Sequence, residues 1–248
     1  MKWPAIGYMR AGSLEDVWRA RAEHGTAAQI LAGGQTLLAT LAFRLSEPKV
    51  LVDITRISAL RGIALAGGAL RIGALTRHAE LARDPLVARH APLLAEAAPL
   101  IAHPAIRNRG TIGGSLAYAD PAAELPACAV ALGATIVAVS PSGERRIAAD
   151  AFFTGLLTTA LRDDEIIAAV EVPVATPATR CAIVEVARRS GDYAMAGLAS
   201  CLTMDGGRVA AARLAFFGVG AVPALAVGAG AALAGRALDA AAIAAAQA

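Results

Sequence analysis

The chain has 248 residues, 56% of them hydrophobic and 17% charged, which excludes intrinsic disorder and supplies apolar side chains for one or two domains. Aromatic residues make up only 4% and the net charge is +3 without a basic run, which argues against a base-stacking surface or a phosphate-backbone tract, and so against nucleic acid as a partner. Lys2 and Lys49 are the only lysines, so the pI near 9.0 rests on arginine in an alanine-rich chain and reads as codon bias.

Ser13 followed by Asp16 predicts a capping box, with Leu14, Val17 and Trp18 on one helical face and Gly25 as the stop. Ala27 to Leu31 reads as a strand running into Ala32-Gly33-Gly34-Gln35-Thr36. A second helix is predicted from Leu37 to Leu45, stopping before Pro48, and a strand from Val50 to Ile54. The opening is thus read as α–β–α–β, with a Gly-Gly turn leaving the first strand. Ile63 to Ile72 predicts a hairpin about Gly67-Gly68, and helical material follows to about Ala102.

Residues 103 to 116 are polar and Gly-rich within apolar surroundings, and residues 120 to 126 open a helix that Gly133 ends. Thr135 to Val139 and Ile166 to Val172 read as strands, separated by a loop holding Phe152, Phe153 and Gly155. Pro173 and Pro177 mark a boundary. Beyond it, Cys181 to Val186, Leu198 to Met204 and Arg208 to Val219 predict a small antiparallel sheet, and the tail after Gly228 an Ala-rich helix. Leu214 to Gly235 carries no charge and has the length of a membrane span. Its Gly, Ala and Pro223 content reads instead as a buried strand followed by a helix.

Cys128, Cys181 and Cys201 form no CxxC pair, and His24, His78, His90 and His103 show no ligand spacing, so no iron–sulfur or zinc site is expected on this chain. The histidines are expected to be buried or partly buried and structural. The N-terminal stretch MKWPAIGYMRAGSLED has no apolar run of the signal-peptide kind, and a cytoplasmic protein with reduced thiols is expected.

The informative features are Gly33-Gly34 and Gly113-Gly114. Without side chains, successive backbone N–H groups can line one concavity and approach a pyrophosphate closely. Gln35, Thr36, Thr111 and Ser115 add donors at the rims, and a helix starting at Leu37 would add its N-terminus. Neither loop fits GxGxxG or GxxxxGK[ST], which argues against a Rossmann site and a P-loop. The plainer reading of both pairs is two ordinary tight turns.

Four segments then occur in a recognisable order: AGGQTLLATLAFRLSEPKVLVDITRI (32–57), IRNRGTIGGSLAYADPAAELPA (106–127), FFTGLLTTALRDDEIIAAVEVP (152–173) and VARRSGDYAMAGLA (186–199). Together they resemble the FAD-binding medium subunit of molybdenum hydroxylases, the family of the carbon monoxide dehydrogenase medium subunit and the xanthine dehydrogenase FAD domain. The resemblance covers nearly the whole chain. It implies an α+β, vanillyl-alcohol-oxidase-like (PCMH-type) FAD-binding fold, with the FAD-binding domain over 1–175 (subdomains about 1–56 and 57–175) and a C-terminal α+β domain over 176–248.

By the same resemblance, Ala32, Gly33, Gly34, Gln35 and Thr36, with Thr111, Gly113, Gly114 and Ser115, hold the FAD pyrophosphate and neighbouring hydroxyls. Tyr118, Asp120 and Glu124 make further polar contacts to the nucleotide, which suits carboxylates facing hydroxyl donors. Asp120 could instead cap a helix ahead of Pro121, and Glu124 could be a first-turn dipole residue. Leu161 falls beside the isoalloxazine and Tyr193 where a side chain shields its other face; either could be plain core. Asp192 with Arg188 or Arg189 could be a structural ion pair.

The resemblance further implies electron transfer from [2Fe–2S] clusters on a small subunit to an external acceptor, with molybdopterin on a large subunit, in a heterotrimer or its dimer. The flavin carries the chemistry, and no residue of this chain acts as a catalytic nucleophile or base. Two departures stand out. Some relatives place a Lys shortly before the Arg-Arg pair, where this chain has Val184 and Glu185, which bears on flavin electrostatics and on the acceptor. By the resemblance, the sequence is also expected to stop short of the usual C-terminal helix, ending in AlaAlaAlaGlnAla. A self-contained vanillyl-alcohol-type oxidase would need its own base and often an attaching His or Cys, and His103 lies outside any attachment motif. A flavin-free assembly protein is the remaining alternative, opposed by the intact glycines.

Overall fold

A computed structural model describes residues 3–248. The chain opens on strand β1 (Gly7–Arg10), then helix α1 (Leu14–His24), β2 (Ala28–Leu31), α2 (Leu37–Ala42) and β3 (Val50–Asp53). The three strands form a parallel sheet in the order β1-β3-β2. The capping box forms as expected: Ser13 accepts from Asp16 N–H while Asp16 accepts from Ser13 N–H. Strand β1 went unread because GYMR is short and its side chains are largely exposed, leaving no apolar run. Helix α2 ends three residues earlier than its apolar pattern suggested, and Arg44 follows it at φ 55°.

The hairpin β4 (Ile63–Ala66) and β5 (Ala69–Gly73) forms about Gly67-Gly68, as its turn chemistry predicts. The following apolar stretch is three short helices, α3 (His78–Leu81), α4 (Pro85–His90) and α5 (Pro92–Ala97), because Pro85 and Pro92 each start a new one. The polar stretch expected as loop contains α6 (Pro104–Arg107) and the start of α7 (Ile112–Tyr118).

Next come α8 (Glu124–Ala131), β6 (Thr135–Ser140), β7 (Gly143–Ala148), β8 (Phe153–Gly155), β9 (Thr158–Thr159) and β10 (Ile166–Pro173). Strand β7 lies inside the expected loop; its charged GERR sequence hid it. Strands β4-β5-β10-β6-β7 make a five-stranded antiparallel sheet. All eight residues of α8 are buried, seven of them apolar and the first the carboxylic Glu124.

The last sheet is antiparallel: β11 (Thr179–Ala187), β12 (Ala194–Asp205), β13 (Arg208–Phe217) and β14 (Ala224–Leu225). Its inner face joins the main core, where Ala199, Ala215 and Phe217 pack in one cluster with Leu94, Leu116 and Cys128. The Ala-rich tail is two helices, α9 (Val227–Leu233) and α10 (Ala240–Gln247), interrupted around Gly235. Both cover part of the sheet's outer face through Leu233 and Ala242. No helix among the described residues is long and apolar enough to cross a membrane.

Candidate functional site

Residues 32–36 leave β2 at the carboxyl end of the parallel sheet, the edge where open α/β sheets receive ligands. Among the described residues, the consecutive backbone N–H groups of Gly33, Gly34, Gln35, Thr36 and Leu37 find no protein acceptor. Gly34 takes φ +71°, which the turn needs and which disfavours any Cβ. The Gln35 side-chain amide donates to Gly33 O at 3.0 Å and braces the loop. Thr36 precedes α2 without spending its hydroxyl on a cap bond. The result is a partly exposed run of free donors at a helix start, the chemistry a diphosphate requires.

The second glycine pair is built differently. Gly113 and Gly114 lie inside the first turn of α7, which Thr111 caps by accepting from Gly114 N–H at 3.1 Å. Ile112 N–H donates to Thr76 O, and Gly113 N–H to Ala74 O. These donors are spent on the protein, so the expected concavity of free Gly113 and Gly114 N–H groups does not exist here. Gly113 serves close packing instead: a Cβ on it would lie 2.6 Å from the Ala74 Cβ. Gly114 leaves a bare, half-buried patch beside the Thr111 hydroxyl, and Ser115 is half-buried next to it.

The fold presses the two loops together. A Cβ on Gly33 would stand 2.3 Å from Arg109 O and 2.8 Å from Gly110 Cα. Gly110 O in turn accepts from His78 N–H at 3.0 Å. The His78 ring is buried, and burial depresses its pKa to about 4, so a neutral imidazole supports this loop at neutral pH. His103, by contrast, is exposed rather than buried. His78 is the buried structural histidine expected from the sequence, whereas Arg109 and Gly110 were not singled out, because nothing in their spacing says that a loop far upstream would land on them.

Beyond α7 the remaining polar candidates gather. Asp120 accepts from Ala122 N–H at 2.9 Å, so it fastens the turn over Pro121, while Ala123 holds the cap position of α8. Glu124 is the first residue of α8 and is buried; burial, then the Glu185 and Asp120 carboxylates, raise its pKa to about 7. Burial and Asp120 also raise the Tyr118 phenol. Tyr193 is 65% exposed, yet its hydroxyl is raised by partial burial and then by Asp120, Tyr118 and Glu124, which places these residues around one spot. Leu161 is half-buried against the main core, just after β9, which packs on α7.

The 188–193 turn is held by Arg189, whose Nε lies 3.6 Å from Asp192, and Asp192 also accepts from Tyr193 N–H. A Cβ on Gly191 would lie 2.6 Å from Ala102 O, so this turn seats directly on the segment leading to the second loop. Asp53, also missed, closes β3 as a buried carboxylate. Burial opposes its ionisation, but bonds from Thr55 and Tyr8 outweigh that and hold its pKa below the usual range.

A parallel sheet with free loop donors, a capped helix bearing hydroxyls, and a carboxylate–phenol cluster fit a nucleotide-binding α+β domain. Residues 4–175 match the family described as the FAD binding domain in molybdopterin dehydrogenase, and residues 182–248 match the CO dehydrogenase flavoprotein C-terminal domain. The chain belongs to the family of FAD-binding subunits of molybdenum hydroxylases.

Among its relatives, the 6-hydroxypseudooxynicotine dehydrogenase complex subunit alpha of Paenarthrobacter nicotinovorans is 42% identical over 89% of this chain and 75% of its own length. The solved carbon monoxide dehydrogenase from Hydrogenophaga pseudoflava superposes with a TM-score of 0.97 at 39% identity, covering 99% of this chain and 86% of that one. Quinoline 2-oxidoreductase from Pseudomonas putida 86 gives a TM-score of 0.91 at 42% identity, covering 96% and 83%.

Proposed function

We propose that this chain is the electron-transfer flavin subunit of a molybdopterin-dependent dehydrogenase or hydroxylase. In this reading it accepts electrons from [2Fe–2S] clusters on a small subunit, and molybdopterin resides on a large subunit that selects the substrate. The observation that carries the reading is the run of free N–H donors at Gly33 to Leu37, in a loop pressed at Gly33 against the Arg109–Gly110 turn that leads into Thr111 and α7. Bound FAD would supply reversible two-electron chemistry and one-electron exit steps.

The protein's own residues then bind and orient. Loop 32–36 holds the diphosphate by backbone donors, while Thr111 and Ser115 add hydroxyls beside the bare surface of Gly114. Gly113 earns its place by packing rather than by touching the ligand. Tyr118, Asp120 and Glu124 face the nucleotide's hydroxyl and ring-edge groups, with Leu161 and Tyr193 as the apolar and aromatic walls. Glu124, with its pKa raised to about 7, is about half protonated at neutral pH, and its protonated form can both donate and accept a hydrogen bond, which an ionised carboxylate cannot. The division at about residue 175, with a further break near 56, and a cytoplasmic location belong to the same proposal.

Relatives bear names as different as 6-hydroxypseudooxynicotine dehydrogenase, quinoline 2-oxidoreductase and carbon monoxide dehydrogenase, which fits a substrate chosen on another polypeptide. Purification from the native host at low salt, with a visible spectrum and mass identification of co-purifying chains, tests the proposal. Releasable FAD together with molybdenum- and iron–sulfur-bearing subunits is the expected result. FAD on a solitary chain would favour a self-contained oxidase, and a colourless chain an assembly protein.

A further inference from the structure

The inner face of the C-terminal sheet carries a row of chemistry separate from the flavin site. Cys181 on β11 and Cys201 on β12 are register partners, and Cys201 is in turn the register partner of Arg213 on β13. One thiol, a second thiol and a guanidinium therefore lie side by side across three strands. The sulfurs are 3.3 Å apart, both cysteines are free, and both are half-buried rather than sealed. Directly opposed residues of an antiparallel pair have Cβ atoms about 4.5–5.5 Å apart, so a disulfide (Cβ–Cβ about 3.5–4.5 Å) needs only a small local approach.

The row also sorts the two thiols into roles. Cys181 donates to Cys201, and that bond, with the nearby Arg213 charge, makes the Cys201 thiol easier to ionise despite partial burial. The Cys181 thiol is correspondingly harder to ionise. Arg213 is held in place by bonds to Val130 O and Asp150, so its charge is fixed beside the sulfur pair. The third cysteine, Cys128 on α8, is completely buried and its thiol is pushed well up by that burial, which makes it an internal control.

We propose that Cys181 and Cys201 form a dithiol modification site that reacts with low-molecular-weight disulfides and closes to a cross-strand disulfide. The Cys201 thiolate attacks one sulfur of the small disulfide, forming a mixed disulfide and releasing one thiolate. Cys181 then attacks the Cys201 sulfur, giving up its proton to the solvent, forming the Cys181–Cys201 bond and expelling the second thiolate. Two protein thiols are oxidised and one small disulfide is reduced to two thiols.

The test incubates the full chain with oxidised glutathione, blocks remaining thiols, and reads intact mass and linked peptides. The wild-type chain should lose two hydrogens, retain no glutathione and yield a Cys181–Cys201 linked peptide, with Cys128 alkylated only after unfolding. Cys181→Ser should trap glutathione on Cys201, and Arg213→Gln should slow that capture about tenfold through the lost thiolate fraction. Phenylarsine oxide, which bridges two adjacent thiols, gives a second readout. One equivalent should bind the wild-type chain tightly, and Cys181→Ser and Cys201→Ser should each lower that affinity at least a hundredfold while melting as the wild type does. A wild-type chain that keeps glutathione without closing, leaves both thiols free, or reacts first at Cys128 would overturn the proposal.

Discussion

The two glycine pairs look alike in sequence and do opposite things with their backbones. Gly33-Gly34 ends a parallel strand and leaves five successive residues, Gly33 to Leu37, with N–H groups free to meet a ligand. Gly113-Gly114 sits in the first turn of α7, with its N–H groups consumed by Ala74 O and the Thr111 hydroxyl. A Gly pair therefore announces a close approach without saying what approaches. At the first loop it is the Arg109 carbonyl on one side, with the donors left open on the other; at the second it is the protein's own Ala74 beneath and open surface above.

That contrast is sharpest at Gly33. Gly33→Ala puts a methyl 2.3 Å from Arg109 O, a backbone atom that cannot swing away. The loops must part, at a cost of about 3 kcal/mol in stability, with loss of FAD retention. Denaturant unfolding and the flavin-to-protein ratio of the purified variant check this, and a fully loaded, wild-type-stable variant would mean the loops are not in contact.

Gly114→Asp should separate stability from binding. Its Cβ would stand 2.9 Å from the Thr111 hydroxyl alone, so that side chain must shift slightly, while an acidic residue in a helix's first turn is favourable; the melting temperature should change by less than about 4 °C. A carboxylate facing a diphosphate should nevertheless weaken FAD at least a hundredfold, roughly 2.7 kcal/mol, as read by fluorescence titration.

Glu124 sharpens the comparison at the start of α8, beyond α7. In the folded chain it keeps its proton to about pH 7, whereas the unfolded carboxyl releases it near 4.5. Between those values the folded state binds more protons, so Glu124 makes stability fall as pH rises. Glu124→Gln should flatten that dependence, gaining about 2 kcal/mol relative to wild type on going from pH 5 to pH 8. Parallel urea melts at the two pH values decide it, and identical slopes would mean the carboxyl titrates normally.

The smallest effect belongs to Thr36→Val, which removes one uncommitted hydroxyl and no backbone donor. FAD affinity should drop by about fivefold, near 1 kcal/mol, with no change in melting.

Much of this was legible because local chemistry and fold agree. Ser13-x-x-Asp16 specified a capped helix, Gly67-Gly68 a hairpin, and the stretch Cys181 to Val186 an antiparallel strand. What escaped reading depended on tertiary contact. Strand β7 is written in charges because Arg145 runs to a buried Glu165 and Arg146 to Glu171. The cluster of Tyr118, Asp120 and Glu124 could be marked as polar, but Tyr193 joins it only because Gly191 lets a distant turn settle on Ala102. Cys181 and Cys201, separated by 20 residues, meet only through strand register.

The central claim is that backbone donors of the first loop hold the diphosphate of FAD. Titrating wild type and Gly34→Ala with both FAD and riboflavin, which lacks phosphate, tests it most directly. The variant forces a Cβ onto a residue at φ +71° and so redirects the loop's N–H groups. The account predicts at least a thirtyfold loss for FAD and less than a twofold change for riboflavin, a difference of about 2 kcal/mol. Equal losses for the two ligands would place the diphosphate elsewhere and contradict it.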